Sequence, residues 1–177
     1  AVGGGYLLAW LPNVEIMTVI TAVAGVVLGP VLGFLCGAMA AAIYSIASPM
    51  GPAPPLLLLA QMLGMGLAGP VGHVAAGRVA GVAVRVSRRA VARAAAGGLV
   101  ATVLYDALTN LAGLLIFDLP LPVVLVGAVP FFLVHAASNV AIFAVFLPVL
   151  APRMAPLARP RVTGRPGTPG AAACLAV

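Results

Sequence analysis

Residues 97–117 read GGLVATVLYDALTNLAGLLIF, an apolar stretch that is long enough to cross a membrane as a helix. Asp106 lies near its middle and is one of only three acids in the chain. A carboxylate at bilayer depth costs about 2.5–3.5 kcal/mol on insertion scales, so it needs a partner, a water-filled cavity or a ligand. Helical spacing places Thr102, Thr109 and Asn110 on the same face as Asp106. This face is the strongest indication of function in the sequence.

The composition is that of an integral membrane protein. Hydrophobic residues make up 63% of the chain and charged residues 7%, with a mean hydropathy of +1.22. A soluble domain carries about 25% charged residues, so this class does not fit. The net charge of +6 comes from arginines, because the chain has no lysine. Their clustering just outside apolar segments favours a topology signal over nucleic-acid binding.

Five apolar segments are predicted to form an all-α bundle of transmembrane helices. Their approximate bounds are residues 15–29, 31–47, 56–82, 97–117 and 123–150. One helix through the first two would be about 48 Å long, beyond the ~30 Å hydrocarbon core. We therefore expect a tight hairpin at Gly29-Pro30, with a long kinked helix as the alternative. Residues 1–14 are predicted to be an outer loop segment, 15–150 the transmembrane bundle and 151–177 a disordered cytoplasmic tail.

Two arginine clusters predict the orientation of these spans. Four arginines lie between residues 85 and 93 and four more between 153 and 165, so two spans separate the clusters. Both clusters must then lie on one side, which the positive-inside rule makes cytoplasmic. The residues before Glu15 and the loops at 48–55 and 118–122 then face outward. An odd number of spans with an outer N-terminus is unusual, so we expect that a helix before residue 1 is missing.

Small residues recur every four positions in the second span, at Gly33, Gly37 and Ala41. Such a small-xxx-small stripe lets the backbones of two helices approach closely. Packing inside the chain is the favoured interpretation of this stripe, and packing against a helix of a partner protein is the alternative.

Several polar side chains are predicted to share one depth in the outer half of the bundle. At about 1.5 Å per residue, Asp106, Asn110 and His135 fall between the outer ends of their spans and the membrane centre. Interhelical hydrogen bonds, worth about 0.6 kcal/mol each, would explain single polar groups, but this combination favours a binding site. Tyr105 could stack on a ligand or only pack. The expected outward-opening pocket comprises Gln61, Asp106, Asn110, His135 and Asn139, with Asn13 and Glu15 at its mouth.

No catalytic residue, metal or cofactor is predicted. A haem between His73 and His135 is disfavoured, because counting residues from the outer ends leaves a depth difference of about 7 Å. Neither histidine has metal-ligand spacing to a cysteine or an acid within its own helix. The sequence has no Gly-x-Ser-x-Gly or His-Glu-x-x-His motif, and it has no Walker-type phosphate loop with which to hydrolyse ATP.

Five short motifs follow one another in an order that resembles a known family. They are LPNVE at 11–15, LGPVLGFLCG at 28–37, AQMLGMGLAG at 60–69, YD and TN within 105–110, and PFFLVH and SN within 130–139. In this order and spacing they resemble the substrate-binding S components of energy-coupling factor (ECF) vitamin transporters. The resemblance covers about residues 11–148, most of the chain.

The resemblance implies a compact six-helix bundle in a prokaryotic cell membrane that captures a vitamin or similar micronutrient from outside. It implies that a transmembrane coupling protein and two ATPase subunits drive uptake. The family's first helix, with its Ala-x-x-x-Ala docking motif, has no counterpart here. Either that helix is missing or docking uses another surface such as Gly33, Gly37 and Ala41. The implied ligand contacts are Asn13, Glu15, Gln61, Tyr105, Asp106, Asn110, His135 and Asn139.

Two other functions are compatible with the same residues. The first is an ion- or proton-coupled carrier in which Asp106 and His135 act as a relay. The second is a structural membrane subunit whose polar groups only hold helices together. The lipid bilayer surrounds the bundle in each case, and nucleic acid is not an expected partner.

Overall fold

The computed structural model describes residues 1–3, 14–48, 51–77 and 86–158, with side chains up to residue 154. Within these ranges the chain forms helices and contains no strand, which confirms the predicted all-α class. Residues 4–13, which include the predicted ligand contact Asn13, and residues 159–177 lie outside the described part. The helices are α1 Met17–Leu28, α2 Pro30–Ile46, α3 Pro55–Ala76, α4 Arg88–Phe117 and α5 Leu121–Ala158.

Three of these helices are long and apolar enough to cross a membrane. They are Pro55–Ala76, Arg88–Phe117 and the stretch Leu121–Met154 within α5. α1 and α2 are apolar but have only 12 and 17 residues. At 1.5 Å per residue they measure about 18 and 26 Å, less than the hydrocarbon core. Length and composition thus suggest a membrane protein with three full-length spans and one pair of shorter helices.

The chain reverses direction between α1 and α2 at Gly29. Its φ of 89° lies in the left-handed region that favours glycine, and Pro30 occupies the first turn of α2, where a helix tolerates proline. A Cβ atom added to Gly33 would overlap the Cα atom of Gly25, so the two helices lie against each other. The predicted hairpin is confirmed, and the alternative of one long kinked helix is wrong.

The hairpin packs on α3 through a set of glycines. A Cβ atom at Gly25 would overlap the carbonyl oxygen of Gly69, and one at Gly69 would overlap the backbone of Gly33. Helix backbones come this close only where side chains are absent. Gly33, Gly37 and Ala41 are all buried, so this stripe packs inside the chain and offers no free surface to a partner helix. We call the following set the glycine seam: Gly25, Gly33, Gly37, Gly69 and Gly72.

The fourth helix begins nine residues before its predicted span, at Arg88. Ser87 caps this helix, because its Oγ accepts a hydrogen bond from the backbone N–H of Ala90 at 3.1 Å. The alanines that follow favour helix, which explains the longer element. Arg88, Arg89 and Arg93 therefore lie in the first turns of α4, and their prediction as part of a loop is wrong.

The fifth helix continues to Ala158, past the predicted end of the bundle at residue 150. Ala151 is only 2% exposed and belongs to the core cluster that contains Phe143 and Leu147. Burial of this face stabilises the helix where the proline-rich sequence predicted disorder. The prediction of a disordered tail is therefore wrong for residues 151–158, and the rest of that tail lies outside the described residues.

Small side chains fill the core, and many large apolar side chains point outward. Ala22, Ala68 and Ala94 are at most 1% exposed, whereas Val74 and Val126 are each 75% exposed. In water such exposed apolar area would mark an interaction surface. Lipid tails are as apolar as these side chains, so helices in a bilayer gain more from close contacts between small residues. This distribution of side-chain sizes is typical of helices that pack in a membrane.

The glycine seam predicts a position-specific effect of adding one methyl group. Gly25→Ala is expected to lower the free energy of unfolding by about 1–3 kcal/mol, because its Cβ atom would overlap backbone that cannot move aside. Gly113→Ala in α4 is the matched control, because no atom lies within 4 Å of its added Cβ. Helix propensity should make this control neutral or stabilising by up to about 1 kcal/mol. Thermal unfolding in detergent measures the stability of both variants. Equal effects of the two substitutions would contradict the role of the glycine seam in packing.

Candidate functional site

The centre of the polar cluster is a contact between α4 and α5. Nδ1 of His135 lies 2.8 Å from Oδ1 of Asp106, a short hydrogen bond in which the imidazole donates and the carboxylate accepts. The His135 side chain is 5% exposed and that of Asp106 is 18% exposed. The costly carboxylate therefore has a buried partner on the neighbouring span. The prediction that Asp106 and His135 share one depth is confirmed.

Glu15, just before α1, lies on the other side of the same imidazole. Its Oε1 is 3.8 Å from Nε2 of His135, which is too long for a direct hydrogen bond, and it accepts a bond from Thr18 Oγ1 at 2.6 Å. Nε2 is buried and has no hydrogen-bond partner among the described residues. The imidazole is thus held at one nitrogen, while its other nitrogen faces a nearby carboxylate.

The depth of Glu15 differs from the expected one. Asp106 is eleven residues from the outer end of α4, or about 16 Å along that helix. His135 is fourteen residues from the outer end of α5, or about 21 Å along that helix. Because Glu15 lies level with both, it is well inside the bundle and not at the outer mouth. The physical reason is that α1 is short and that the glycine seam holds it against α3, away from the outer end of the bundle.

Tyr105 packs against the same imidazole. Its ring and that of His135 meet edge to face, with centroids 5.8 Å apart and planes at 89°. Gly64 on α3 makes this position available, because a Cβ atom there would lie 2.8 Å from Cδ2 of Tyr105. The aromatic ring and the carboxylate of the neighbouring residue Asp106 therefore both lie against His135.

A cavity of about 580 Å³ lies beside this cluster, between α3, α4 and α5. Four predicted ligand contacts line it, one on α3 and three on α4: Gln61, Tyr105, Asp106 and Asn110. Gln61 Oε1 accepts a hydrogen bond from Ser45 Oγ at 2.6 Å, and Asn110 Nδ2 donates to the Asp106 carbonyl at 2.8 Å. These bonds hold the two amides in place at the polar wall of the cavity.

The rest of the cavity lining is apolar and aromatic. Its side chains come from the end of α4, the turn that follows and the first turns of α5. The main members are Phe117, Leu119, Val123, Val124, Phe131 and Phe132. Sequence reasoning did not assign these residues to the site, since an apolar residue that faces a cavity has the same pattern as one that faces lipid. The motif that contains Phe131 and Phe132 was the one available signal.

Asn139 belongs to a separate contact. It is fully buried, and its Nδ2 donates to Thr102 Oγ1 at 2.9 Å, while Thr102 donates to the Gly98 carbonyl at 3.0 Å. A Cβ atom at Gly98 would come within 2.6 Å of the Asn139 carbonyl oxygen, so α4 and α5 lie close here. Asn139 does not line the cavity. The contact thus joins two helices one turn below His135.

The second histidine, His73, is also used elsewhere. Its Nδ1 lies 3.1 Å from the carbonyl oxygen of Gly25, which links α3 to α1. Gly25 is ten residues beyond Glu15, so His73 lies well below the cluster around His135. Within the described part of the chain, no group of three histidine, cysteine or acidic side chains is placed to hold a metal ion.

The arrangement is suited to holding a small molecule with both polar and apolar parts. A carboxylate and two amides face three phenylalanines across a cavity whose volume falls in the range of small-molecule sites, about 300–1,000 Å³. Comparison with models of known protein families yields no match. Comparisons with curated proteins and with solved structures yield none either.

The two carboxylates around His135 should contribute unequally to stability. A double-mutant cycle of His135→Ala with Asp106→Asn is expected to show a coupling of about 1–1.7 kcal/mol, near the upper limit for bonds between membrane helices. The cycle with Glu15→Gln should show less than about 0.5 kcal/mol, because 3.8 Å is not a hydrogen-bond distance. Reversible unfolding of the six proteins in mixed micelles gives both values. A coupling as large for Glu15 as for Asp106 would contradict this assignment.

Proposed function

We propose that this chain is the substrate-binding membrane subunit, or S component, of an ECF-type transporter. It captures a vitamin or related micronutrient from outside a prokaryotic cell and presents it to a partner module. That module consists of a transmembrane coupling protein and two ATPases. In this proposal α1 and α2 complete the bundle around three full-length spans, and the chain itself catalyses no reaction.

The observation that carries the proposal is the cavity beside Asp106. A carboxylate at this depth costs about 2.5–3.5 kcal/mol, and even a hydrogen bond at the upper limit for membrane helices returns only about 1.7 kcal/mol. Pairing with His135 alone therefore does not balance this cost. Contact with a polar ligand or its water would stabilise the carboxylate further. The 18% of the Asp106 side chain that remains exposed, together with its place in the cavity wall, supports this use.

The source of energy supports the same proposal. Binding alone concentrates nothing inside a cell, and the sequence contains no phosphate-binding loop. If ATP drives uptake, its hydrolysis must therefore come from other subunits. The order of motifs shared with S components supports a separate ATPase module.

A retained ligand is the first test. Native mass spectrometry of the purified full-length chain is expected to show a bound small molecule, and Asp106→Asn should reduce the bound fraction at least tenfold. Thr102→Val is the control. Thr102 lies one turn from Asp106 along α4, and its substitution breaks the Asn139 contact but leaves the cavity lining intact. Its bound fraction should stay within twofold of the parent chain. Equal retention by the parent chain and Asp106→Asn would contradict a role for this carboxylate.

Recovery of the partner module is the second test. A tagged chain purified in mild detergent from cells that express it naturally should bring down a transmembrane coupling protein and two ATPases. Uptake of the retained molecule into vesicles that hold the complete complex should then require ATP. If neither a bound molecule nor ATPase subunits accompany the chain, the proposal fails.

A proton-coupled carrier is the second candidate function. The observation that favours it is the row Glu15, His135 and Asp106, in which one imidazole lies 2.8 Å from one carboxylate and 3.8 Å from another. Such a row is a known arrangement for proton relays inside membranes. This function requires uptake by the chain alone in vesicles with a pH gradient and without ATP. Uptake under these conditions would replace the first proposal.

A further inference from the structure

We propose that the ligand of the cavity is a nitrogen cation joined to an apolar or aromatic group, and that it carries no carboxylate or phosphate. This inference rests on the proposed function only in that the cavity must hold a small molecule. It names the chemical class of that molecule, which the resemblance to S components leaves open.

Two of the three acids of the chain lie in the cavity wall or beside it. Asp106 lines the cavity, and Glu15 reaches the same cluster through His135. Asp118 is exposed in the turn between Phe117 and Leu119, about 18 Å along α4 from Asp106, so it does not belong to this cluster. The negative charge at the cavity is therefore that of Asp106, with Glu15 behind it.

The described arginines lie far from this place. Arg93 is thirteen residues from Asp106 along α4, and Arg153 is eighteen from His135 along α5, or about 20 and 27 Å. At these distances none of the described arginines can form an ion pair with a group in the cavity. Arg88 and Arg89 lie further still along α4, and no basic side chain is among the described residues of the cavity wall. An anionic ligand would find no counter-charge there.

His135 does not reverse this balance. Its Nδ1 donates to Asp106, and two carboxylates flank one imidazole, so the cluster is negative whether the ring is neutral or protonated. The His135 side chain is 5% exposed, and its Nε2 faces Glu15 with no hydrogen-bond partner in the described chain. The carboxylate that is available to a ligand is therefore that of Asp106, which lines the cavity.

The aromatic side chains of the wall complete the match to a cation. Phe117, Phe131, Phe132 and Tyr105 line the same space as Asp106. The negative face of an aromatic ring attracts an ammonium or other nitrogen cation within about 6 Å, and repels a carboxylate. An apolar or aromatic part of the ligand would pack on the same rings. Asp106 thus supplies a negative charge, and the aromatic side chains supply apolar contact area.

Three small probes that share a phenyl ring and differ in the charge of their polar group test the inference. They are 2-phenylethylamine, 2-phenylethanol and phenylacetate, offered at millimolar concentration to the purified full-length chain after removal of any retained molecule. Saturation-transfer NMR in detergent micelles measures the binding of each. The cation is expected to bind at least tenfold more tightly than the alcohol, and the anion not to bind.

Variants of the cavity wall should change this preference in opposite directions. Asp106→Asn should abolish the preference for the amine over the alcohol. Gln61→Glu adds a carboxylate that can still accept from Ser45, and it should tighten amine binding about three- to tenfold. Thr102→Val should leave the preference unchanged. Because Gln61→Glu predicts a gain, misfolding of the Asp106 variant would not remove the test.

The outcomes separate this inference from the proposed function. If phenylacetate or the alcohol binds best, or if the molecule retained in native mass spectra is an anion, the inference is wrong while the cavity remains a ligand site. If no probe binds and no molecule is retained, both proposals fail. A retained nitrogen cation, displaced by 2-phenylethylamine and not by phenylacetate, supports both.

Discussion

Gly25, Gly33 and Gly69 meet where the α1–α2 hairpin crosses α3, and their backbones lie closer than any Cβ atom would allow. Much of the structure depends on this contact. In a bilayer the hydrophobic effect does not press helices together, so close approach of backbones supplies the packing. The reversal at Gly29 brings two of these glycines onto one surface, and α3 supplies the third. A side chain at any of the three positions would separate the hairpin from the bundle.

The same contact sets the position of the polar cluster. With α1 held against α3, Glu15 comes level with His135, and the imidazole lies between two carboxylates on different elements. A second small-residue contact, Gly98 against Asn139, brings α4 to α5 just below. Polar groups inside this bundle are thus placed by glycines. The hydrogen bonds between them orient side chains that packing has already brought together, and each alone is worth little in a membrane.

Charge is divided along the long axis of the molecule. Two of the acids, Asp106 and Glu15, lie in or beside the cavity. The described arginines lie at the start of α4 and near the end of α5, which are the ends of these helices away from the cavity. The arginine positions agree with the positive-inside rule, which concerns insertion and not ligand binding. Because about 20 Å or more along the helices separates the described arginines from Asp106 and His135, none of them pairs with a charge in the cavity. In this proposal the arginines at one end orient the chain in the membrane, and the acids at the other end recognise a cation.

The sequence by itself determined the helical class, the apolar spans and the reversal at Gly29-Pro30, because these follow from local composition and spacing. It placed Gln61, Asp106 and Asn110 on one pocket for the same reason. Only the tertiary structure decided that Asn139 pairs with Thr102 outside the cavity, that Glu15 lies deep, and that Phe131 and Phe132 line the cavity. In a membrane bundle both sides of a helix are apolar, so periodicity cannot separate an inward face from an outward one. That distinction comes from the contacts between helices.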